Sequence, residues 1–157
     1  MIPDVKGSEY KLEVAADEPT ASLAYTTVVP NYAQKLGKRM FVPVNKFNAF
    51  TFTPEKQERR NNIYNKFGKF LVDTVRIEFP KGMEVEALGD EAIELKHAGG
   101  EYRAEIKVDG QEIYWTRTLK VLPVNLPPEE YPEYRDFWVA VSKAEGRKVV
   151  LRQAKTK

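Results

Sequence analysis

The stretch YRAEIKVDGQEIYWTRTLKV, residues 102–121, determines the fold class. Its apolar residues recur at every second position on either side of Asp109-Gly110, and such alternation is typical of a β-strand with one buried face. Asp-Gly between two such runs is a strong hairpin signal, because both central residues of a type I′ turn need a positive φ. Residues 102–121 therefore predict a β-hairpin that turns at Asp109-Gly110.

Alternating runs of the same kind lie on both sides of this hairpin. Turn residues separate them at roughly ten-residue intervals, which favours an antiparallel sheet protein. The polar residues 54–62 predict an exposed loop. We expect strands at Tyr10–Val14, Ser22–Val29, Leu36–Val44, from Ile93, and at Val149–Leu151, and a hairpin joining Thr74–Phe79 to Met83–Ala87.

The periodicity changes near the C-terminus, where the sequence predicts one amphipathic helix over residues 132–145. The positions at helical spacing are Tyr134, Phe137, Trp138, Val141 and Ala144. Pro132 suits the first helical turn, and Gly146 suits the position after the helix. We therefore predict an all-β, mostly antiparallel sandwich, a single domain over residues 1–157, with this helix closing an end or an edge.

The composition excludes several functional classes. Lys and Arg number 25 against 23 Asp and Glu, and this net charge of +2 lacks the strong basic field that nucleic-acid binding uses. The absence of cysteine excludes disulfides, thiolate catalysis and cysteine zinc sites. No apolar run is long enough to span a membrane, and no apolar signal core follows Met1, so we expect no membrane insertion.

Four pieces of the sequence carry a resemblance to a known family. The longest is FLVDTVRIEFPKGMEVE at residues 70–86. The others are Phe52–Lys56 with Arg59-Arg60-Asn61, Tyr114–Leu119, and Pro127–Tyr131 leading into Tyr134–Phe137. Over residues 40–151 the chain resembles the C-terminal domain of unknown function that follows the transglutaminase-like core in large bacterial proteins.

The resemblance implies a Greek-key β-sandwich at the end of a larger exported protein, periplasmic or in the cell envelope. It implies no activity and no cofactor for this part, because the Cys-His-Asp chemistry would belong to the upstream core. No catalytic residue of the family can be carried over to this chain. The expected partner is that core, and a peptide or glycan of the envelope is a second one.

Two charged residues interrupt apolar faces. Arg117 lies in phase with Trp115 and Leu119, and Asp73 lies in phase with Val75. A buried charge is costly unless it is paired, so we predict a structural ion pair between Arg117 and Asp73, or else Asp136 of the helix. The alternative places both residues at a sheet margin with their charged ends in water.

The stretch from Glu55 to Phe70 has five basic and two acidic residues interleaved with aromatics. Aromatic rings beside basic groups can form a ligand groove, whereas aromatics turned inward would only anchor a loop, which is the interpretation we favour. A carbohydrate-binding module would need exposed coplanar rings. The candidate surface-binding residues are Tyr64, Phe67, Trp115 and Trp138.

Other candidate sites are weaker. His97 is the only histidine, and we predict that it lies exposed in a loop. Calcium loops need alternating Asp/Asn ligands and a glycine, which the acidic residues between 84 and 94 lack. No nucleophile elbow surrounds a serine, and an unrecognised carboxylate pair is the remaining enzymatic alternative. We expect a non-catalytic accessory or binding domain with no metal site.

Overall fold

The computed structural model describes residues 6–15, 17, 19–55 and 58–154, with side chains from residue 11 onward. The chain forms two units, Met1–Tyr32 and Ala33–Lys157. The strands are β1 (Lys6–Val14), β2 (Ala21–Val28), β3 (Gln34–Leu36), β4 (Arg39–Pro43), β5 (Ile63–Asn65), β6 (Lys69–Glu78), β7 (Met83–Ala87), β8 (Ala92–His97), β9 (Gly100–Asp109), β10 (Glu112–Val121), β11 (Val124–Leu126) and β12 (Lys148–Gln153). A 3₁₀ turn, Pro128–Glu130, leads into helix α1 (Tyr131–Glu145). The predicted fold class, mostly antiparallel β with one C-terminal helix, is confirmed.

The first unit contains one antiparallel hairpin, in which β1 pairs with β2. Leu12 lies opposite Leu23 and Val14 opposite Ala21, so the apolar side chains of the two strands share one face. Leu12, Leu23 and Tyr25 are nevertheless 59%, 59% and 50% exposed. The expectation of a buried face is wrong for these residues, because alternation determines which side chains share a face and not what covers it.

The second unit contains a four-stranded sheet in the order β6-β10-β9-β8. β8, β9 and β10 form a meander and β6 lies beside β10, which is a Greek-key-like order. Alternation turns one face of the sheet inward. Its apolar residues, none more than 3% exposed, are Tyr102, Ala104, Ile106, Ile113, Trp115 and Leu119.

The turn between β9 and β10 is displaced by one residue from the predicted Asp109-Gly110, and its type differs. Asp109 pairs with Glu112, so the two loop residues are Gly110 and Gln111. Gly110 has a φ of 56°, whereas Asn31 is the one non-glycine residue with a positive φ in the described chain. A positive φ at the first loop residue alone matches a type II′ turn and not the predicted type I′.

A second four-stranded sheet has the order β3-β4-β12-β7. The strand predicted over Leu36–Val44 covers the last residue of β3, a turn at Gly37 and all of β4, so it is not one continuous strand. The φ of Gly37 is 59°, a left-handed conformation that favours glycine.

The predicted hairpin between residues 74–79 and 83–87 is wrong. β6 pairs with β10, whereas β7 pairs with β12, which follows the helix. Residues 80–82 do turn the chain, but they lead it from one sheet to the other. Both strands alternate as predicted, yet alternation does not specify a strand's partner.

Helix α1 begins one residue before the predicted start and ends at the predicted residue. Its buried side chains, spaced by three or four, are Tyr131, Tyr134, Phe137, Trp138, Val141, Ala144 and Glu145. Gly100 allows the helix to approach the sheet, because a Cβ there would lie 2.7 Å from the Lys120 carbonyl oxygen and 3.1 Å from the Phe137 ring. Helices in the described ranges fall short of the length and apolarity that crossing a bilayer needs.

Candidate ligand-binding groove

Arg117 forms the centre of a buried charge network. It occupies an inward position of β10, and its side chain is fully buried. Asp73 lies directly opposite on β6, and the Arg117 guanidinium donates a hydrogen bond to its carboxylate. Arg117 also donates to the carbonyl of Asn48 over 3.2 Å. Asp136, the alternative partner, is 79% exposed and lies 3.7 Å from Arg135, so that alternative is wrong.

Glu145, which was not predicted from the sequence, completes this network. Its buried carboxylate lies 3.6 Å from Nη1 of Arg117 and accepts hydrogen bonds from the Phe50 backbone N–H at 2.8 Å and the Asn45 amide at 3.3 Å. The pKa of Tyr102 is raised first by burial and then by the charge of Glu145. The helical spacing was the available signal, because Glu145 follows Val141 by four residues on the buried face.

The network ties three parts of the second unit together. Arg117 comes from the sheet, Glu145 from the last turn of the helix, and Asn45, Asn48 and Phe50 from the segment between them in the fold. Arg117 and Glu145 are fully buried, and their contacts link the sheet, the helix and this segment.

A groove lies beside the start of the helix. Its floor contains Ile63, Tyr131 and Tyr134, which are 4%, 2% and 9% exposed, and its sides carry the more exposed rings of Phe52 and Tyr64. The polar lining consists of Thr51, Thr53, Glu55, Arg59 and Asn65. We call this concave surface the aromatic groove.

The rings of the groove are held by packing beneath it. The Tyr134 and Trp138 ring centroids lie 6.0 Å apart, and the Phe52 and Trp138 centroids lie 5.8 Å apart, both edge to face. Burial raises the pKa of Tyr134, so its hydroxyl stays protonated. The Arg59 guanidinium lies 5.5 Å from the centroid of the Tyr131 ring, within the range of a cation–π contact.

The structure divides the four predicted surface residues into two pairs. Tyr64 and Phe67 are 70% and 74% exposed, as a surface role requires. Trp115 and Trp138 are each 1% exposed, so their assignment to a binding surface is wrong. Strand alternation places the Trp115 indole on a core face, and helical spacing does the same for the Trp138 indole. The favoured loop-anchor interpretation is also wrong, since Phe70 is 61% exposed as well.

His97 ends strand β8 and is not an exposed loop residue as predicted. Its ring stacks on Phe137 with centroids 5.7 Å apart and meets Tyr134 edge to face at 5.8 Å. Its Nδ1 accepts a hydrogen bond from the Gly99 backbone N–H at 3.0 Å. His97 therefore belongs to the packing between helix and sheet.

Three of the five acidic residues between 84 and 94 pair with basic neighbours, and they are Glu84, Glu86 and Glu94. Glu84 lies 2.7 Å from Arg152, and Glu86 lies 2.5 Å from Arg39. The hydrogen bond from Arg39 lowers the pKa of Glu86. Within the described part of the chain, no cluster of three or more His, Cys, Asp or Glu residues could hold a metal ion.

Comparison with known families gives one match. The model of a family described as "Domain of Unknown Function with solved-structure structure (DUF3858)" matches residues 38–151. This span runs from just before β4 into β12 and includes the groove and the charge network. No curated protein and no solved structure matches the chain.

Proposed function

The chain belongs to the DUF3858 family of domains of unknown function, and from this membership we propose that it is a non-catalytic accessory domain that packs on a transglutaminase-like core in the same polypeptide. The resemblance to domains that follow such a core supports this role. In this proposal the polypeptide is exported to the periplasm or cell envelope, and any chemistry belongs to the core.

Exposed apolar side chains on an edge strand and just before it carry the proposal. Phe67, Phe70 and Val72, which we call the apolar strip, are 74%, 61% and 60% exposed. Phe70 and Val72 lie on the same face of β6, which ends its sheet in the described structure. Contiguous exposed apolar side chains mark interaction surfaces, because removing them from water yields about 25 cal/mol per Å².

The backbone of β6 offers a second means of attachment. On the side away from β10, every second residue of β6 has an N–H and a C=O group that no other described strand pairs. Such an edge can accept a strand from another domain, and proteins usually cover or interrupt edges of this length. The strip and the edge therefore offer one partner both side-chain and backbone contacts.

The hairpin of the first unit has a comparable face. Leu12, Val14, Leu23 and Tyr25 are each at least half exposed. A two-stranded hairpin is marginally stable by itself in water. A partner that buries this apolar face would stabilise it.

Burial of Trp115 and Trp138 counts against the alternative of an independent carbohydrate-binding module, because it removes both indole rings from the surface. An enzyme with an unrecognised carboxylate pair would need acids gathered in a cleft. Glu55 is the one acid among the groove's lining residues in the described structure. Exposed rings beside unpaired backbone support a binding role better than either alternative.

Hydrogen exchange on the full-length polypeptide and on this chain alone tests the role. Every second amide of β6 points away from β10, so these amides should exchange quickly in the chain alone and slowly when the core covers them. Equal exchange of residues 69–78 in both proteins would contradict the proposed packing. Cell fractionation of the full-length polypeptide tests the proposed export.

Substitutions in the strip identify the surface. Phe70→Ser with Val72→Thr should restore fast exchange of β6 in the full-length polypeptide, because the apolar contact area is lost. Lys107→Ser on β9 is the matched control, since Lys107 is a 79% exposed side chain away from the strip. If both variants behave alike, the strip is not the docking surface.

A further inference from the structure

Arg59 and Arg60 differ from the other arginines of the chain. Neither has a carboxylate or carbonyl partner within the described residues, and both are exposed. The remaining seven each contact a protein oxygen, and they are Arg39, Arg76, Arg103, Arg117, Arg135, Arg147 and Arg152. Two guanidinium groups are thus left available in the same stretch of sequence, residues 55–70, as the exposed aromatic residues.

Positive charge is concentrated in this segment. Residues 55–70 contain five basic and two acidic residues, a net +3, whereas the whole chain has a net +2. The other residues therefore sum to −1. The local field attracts an anionic partner, even though the overall charge is nearly balanced.

Arg59 is placed to recognise one kind of anion. A cation–π contact of 5.5 Å with the Tyr131 ring keeps the guanidinium at the groove, and its N–H groups have no acceptor among the described residues. This planar fork matches a carboxylate in a two-point hydrogen bond, which a lysine ammonium cannot make. The groove thus combines one oriented cation with the rings of Phe52 and Tyr64.

The adjoining strand favours an extended peptide as the occupant. β5 pairs with β11 on one side, and no further described strand pairs with its other side. All three residues of β5 line the groove, and the 70% exposed Tyr64 lies between Ile63 and Asn65. An extended peptide could pair its backbone with such an edge while alternate side chains enter the groove.

We propose that the aromatic groove binds an extended acidic peptide, which adds a strand beside β5 and places a carboxylate on Arg59. The apolar side chains of the peptide pack between Phe52 and Tyr64. This inference rests on the proposed function, because it assigns a ligand class to a domain proposed to bind and not to catalyse. The groove and the apolar strip are distinct sets of residues, so each can fail without the other.

Binding of short peptides to the full chain tests the inference. The probe is a fluorescein-labelled octapeptide of alternating Glu and Val, and the charge-reversed peptide of alternating Lys and Val is the first control. We expect the acidic peptide to bind with a Kd below about 1 mM and the basic peptide at least tenfold more weakly. Amide NMR shifts of residues 63–65 should respond to the acidic peptide.

Two arginine variants separate site recognition from simple charge. Arg59→Gln should weaken the acidic peptide by about tenfold or more, because it removes a charge-assisted hydrogen bond. Arg60→Gln removes the same charge from a residue outside the groove lining, and it should change the Kd less than about threefold. Near-UV circular dichroism confirms that both variants keep their aromatic packing.

Three results would overturn the inference. They are equal weakening by the two variants, shift changes confined to residues away from the groove, and binding of acidic oligogalacturonide with no binding of the acidic peptide. Docking of the core is measured separately, by hydrogen exchange of β6 in the full-length polypeptide that carries the same substitutions. Loss of peptide binding with intact docking rejects the peptide site alone, and the reverse result rejects the proposed function.

Discussion

Replacing Arg117 by methionine is expected to lower the free energy of unfolding by about 3–5 kcal/mol. Methionine keeps much of the apolar volume but removes the charge that faces Asp73 and Glu145. Asp73 is 15% exposed and retains a hydrogen bond from the Asn48 amide at 2.7 Å, so it remains partly solvated. Glu145 is fully buried, and most of the loss arises from its uncompensated carboxylate.

A double variant isolates that contribution. Arg117→Met with Glu145→Gln removes both charges, while the glutamine side-chain carbonyl can still accept from the Phe50 N–H. Replacing a buried ion pair with neutral groups is often close to neutral, so the double variant should lose less than about 2 kcal/mol. The two substitutions would then couple by at least about 1 kcal/mol.

Urea unfolding followed by tryptophan fluorescence measures these effects, because Trp115 and Trp138 are both buried in the second unit. Arg103→Met is the matched control, since Arg103 lies on neighbouring β9 with a 65% exposed side chain and pairs with Glu105. The control should lose less than about 1 kcal/mol. If Arg117→Met is as mild as this control at an unchanged m-value, the reasoning about the buried network is refuted.

Three further predictions concern packing and pH. Gly100→Ala should cost about 1–3 kcal/mol in urea unfolding because its Cβ would overlap the Lys120 carbonyl, whereas Gly146→Ala, at a φ of −77°, should be neutral or slightly stabilising. The raised pKa of Tyr102 keeps its hydroxyl protonated in the folded state, whereas in the unfolded state the hydroxyl ionises near pH ~10. The free energy of unfolding should therefore decrease above that pH, and the decrease should be smaller in Tyr102→Phe. Hydrogen bonding from Arg76 lowers the pKa of Glu112, so this carboxylate stabilises the folded state above its unfolded pKa, and that contribution is lost as pH falls. A ¹³C NMR titration of the Glu112 carboxylate should show a lowered pKa, which rises in Arg76→Gln.

Side-chain faces were predictable because they follow from backbone geometry alone. The alternation of β9 and β10 correctly predicted burial of Ile106 and Ile113, and it placed Arg117 inward. Trp115 lies on the same inward face, so its assignment to a binding surface disregarded this alternation. Strand partners were not predictable in this way. β7 pairs with β12, which comes more than sixty residues later, and no local signal in Met83–Ala87 specifies that partner.

The groove was only partly predictable for a similar reason. The segment from Glu55 to Phe70 showed aromatic and basic residues together, and the sequence indicated that a groove was conceivable there. It could not indicate whether the rings face solvent, because short irregular segments have no periodicity that defines a face. Tyr131 and Tyr134 join the groove from a helix about seventy residues away in sequence.

Arg59 and Arg117 show how burial assigns different roles to the same residue type. A fully buried guanidinium needs opposite charge within the fold, and Asp73 and Glu145 provide it for Arg117. Its Nη2 donates to Asp73 and to the Asn48 carbonyl, while Nε and Nη1 have no hydrogen-bond partner among the described residues. Arg59 has no such requirement, because water can solvate it on the face away from Tyr131. An oriented arginine that the fold does not need for its own stability can exchange water for a carboxylate at low cost. That difference makes Arg59, and not the more conspicuous Arg117, the residue from which a ligand site is inferred.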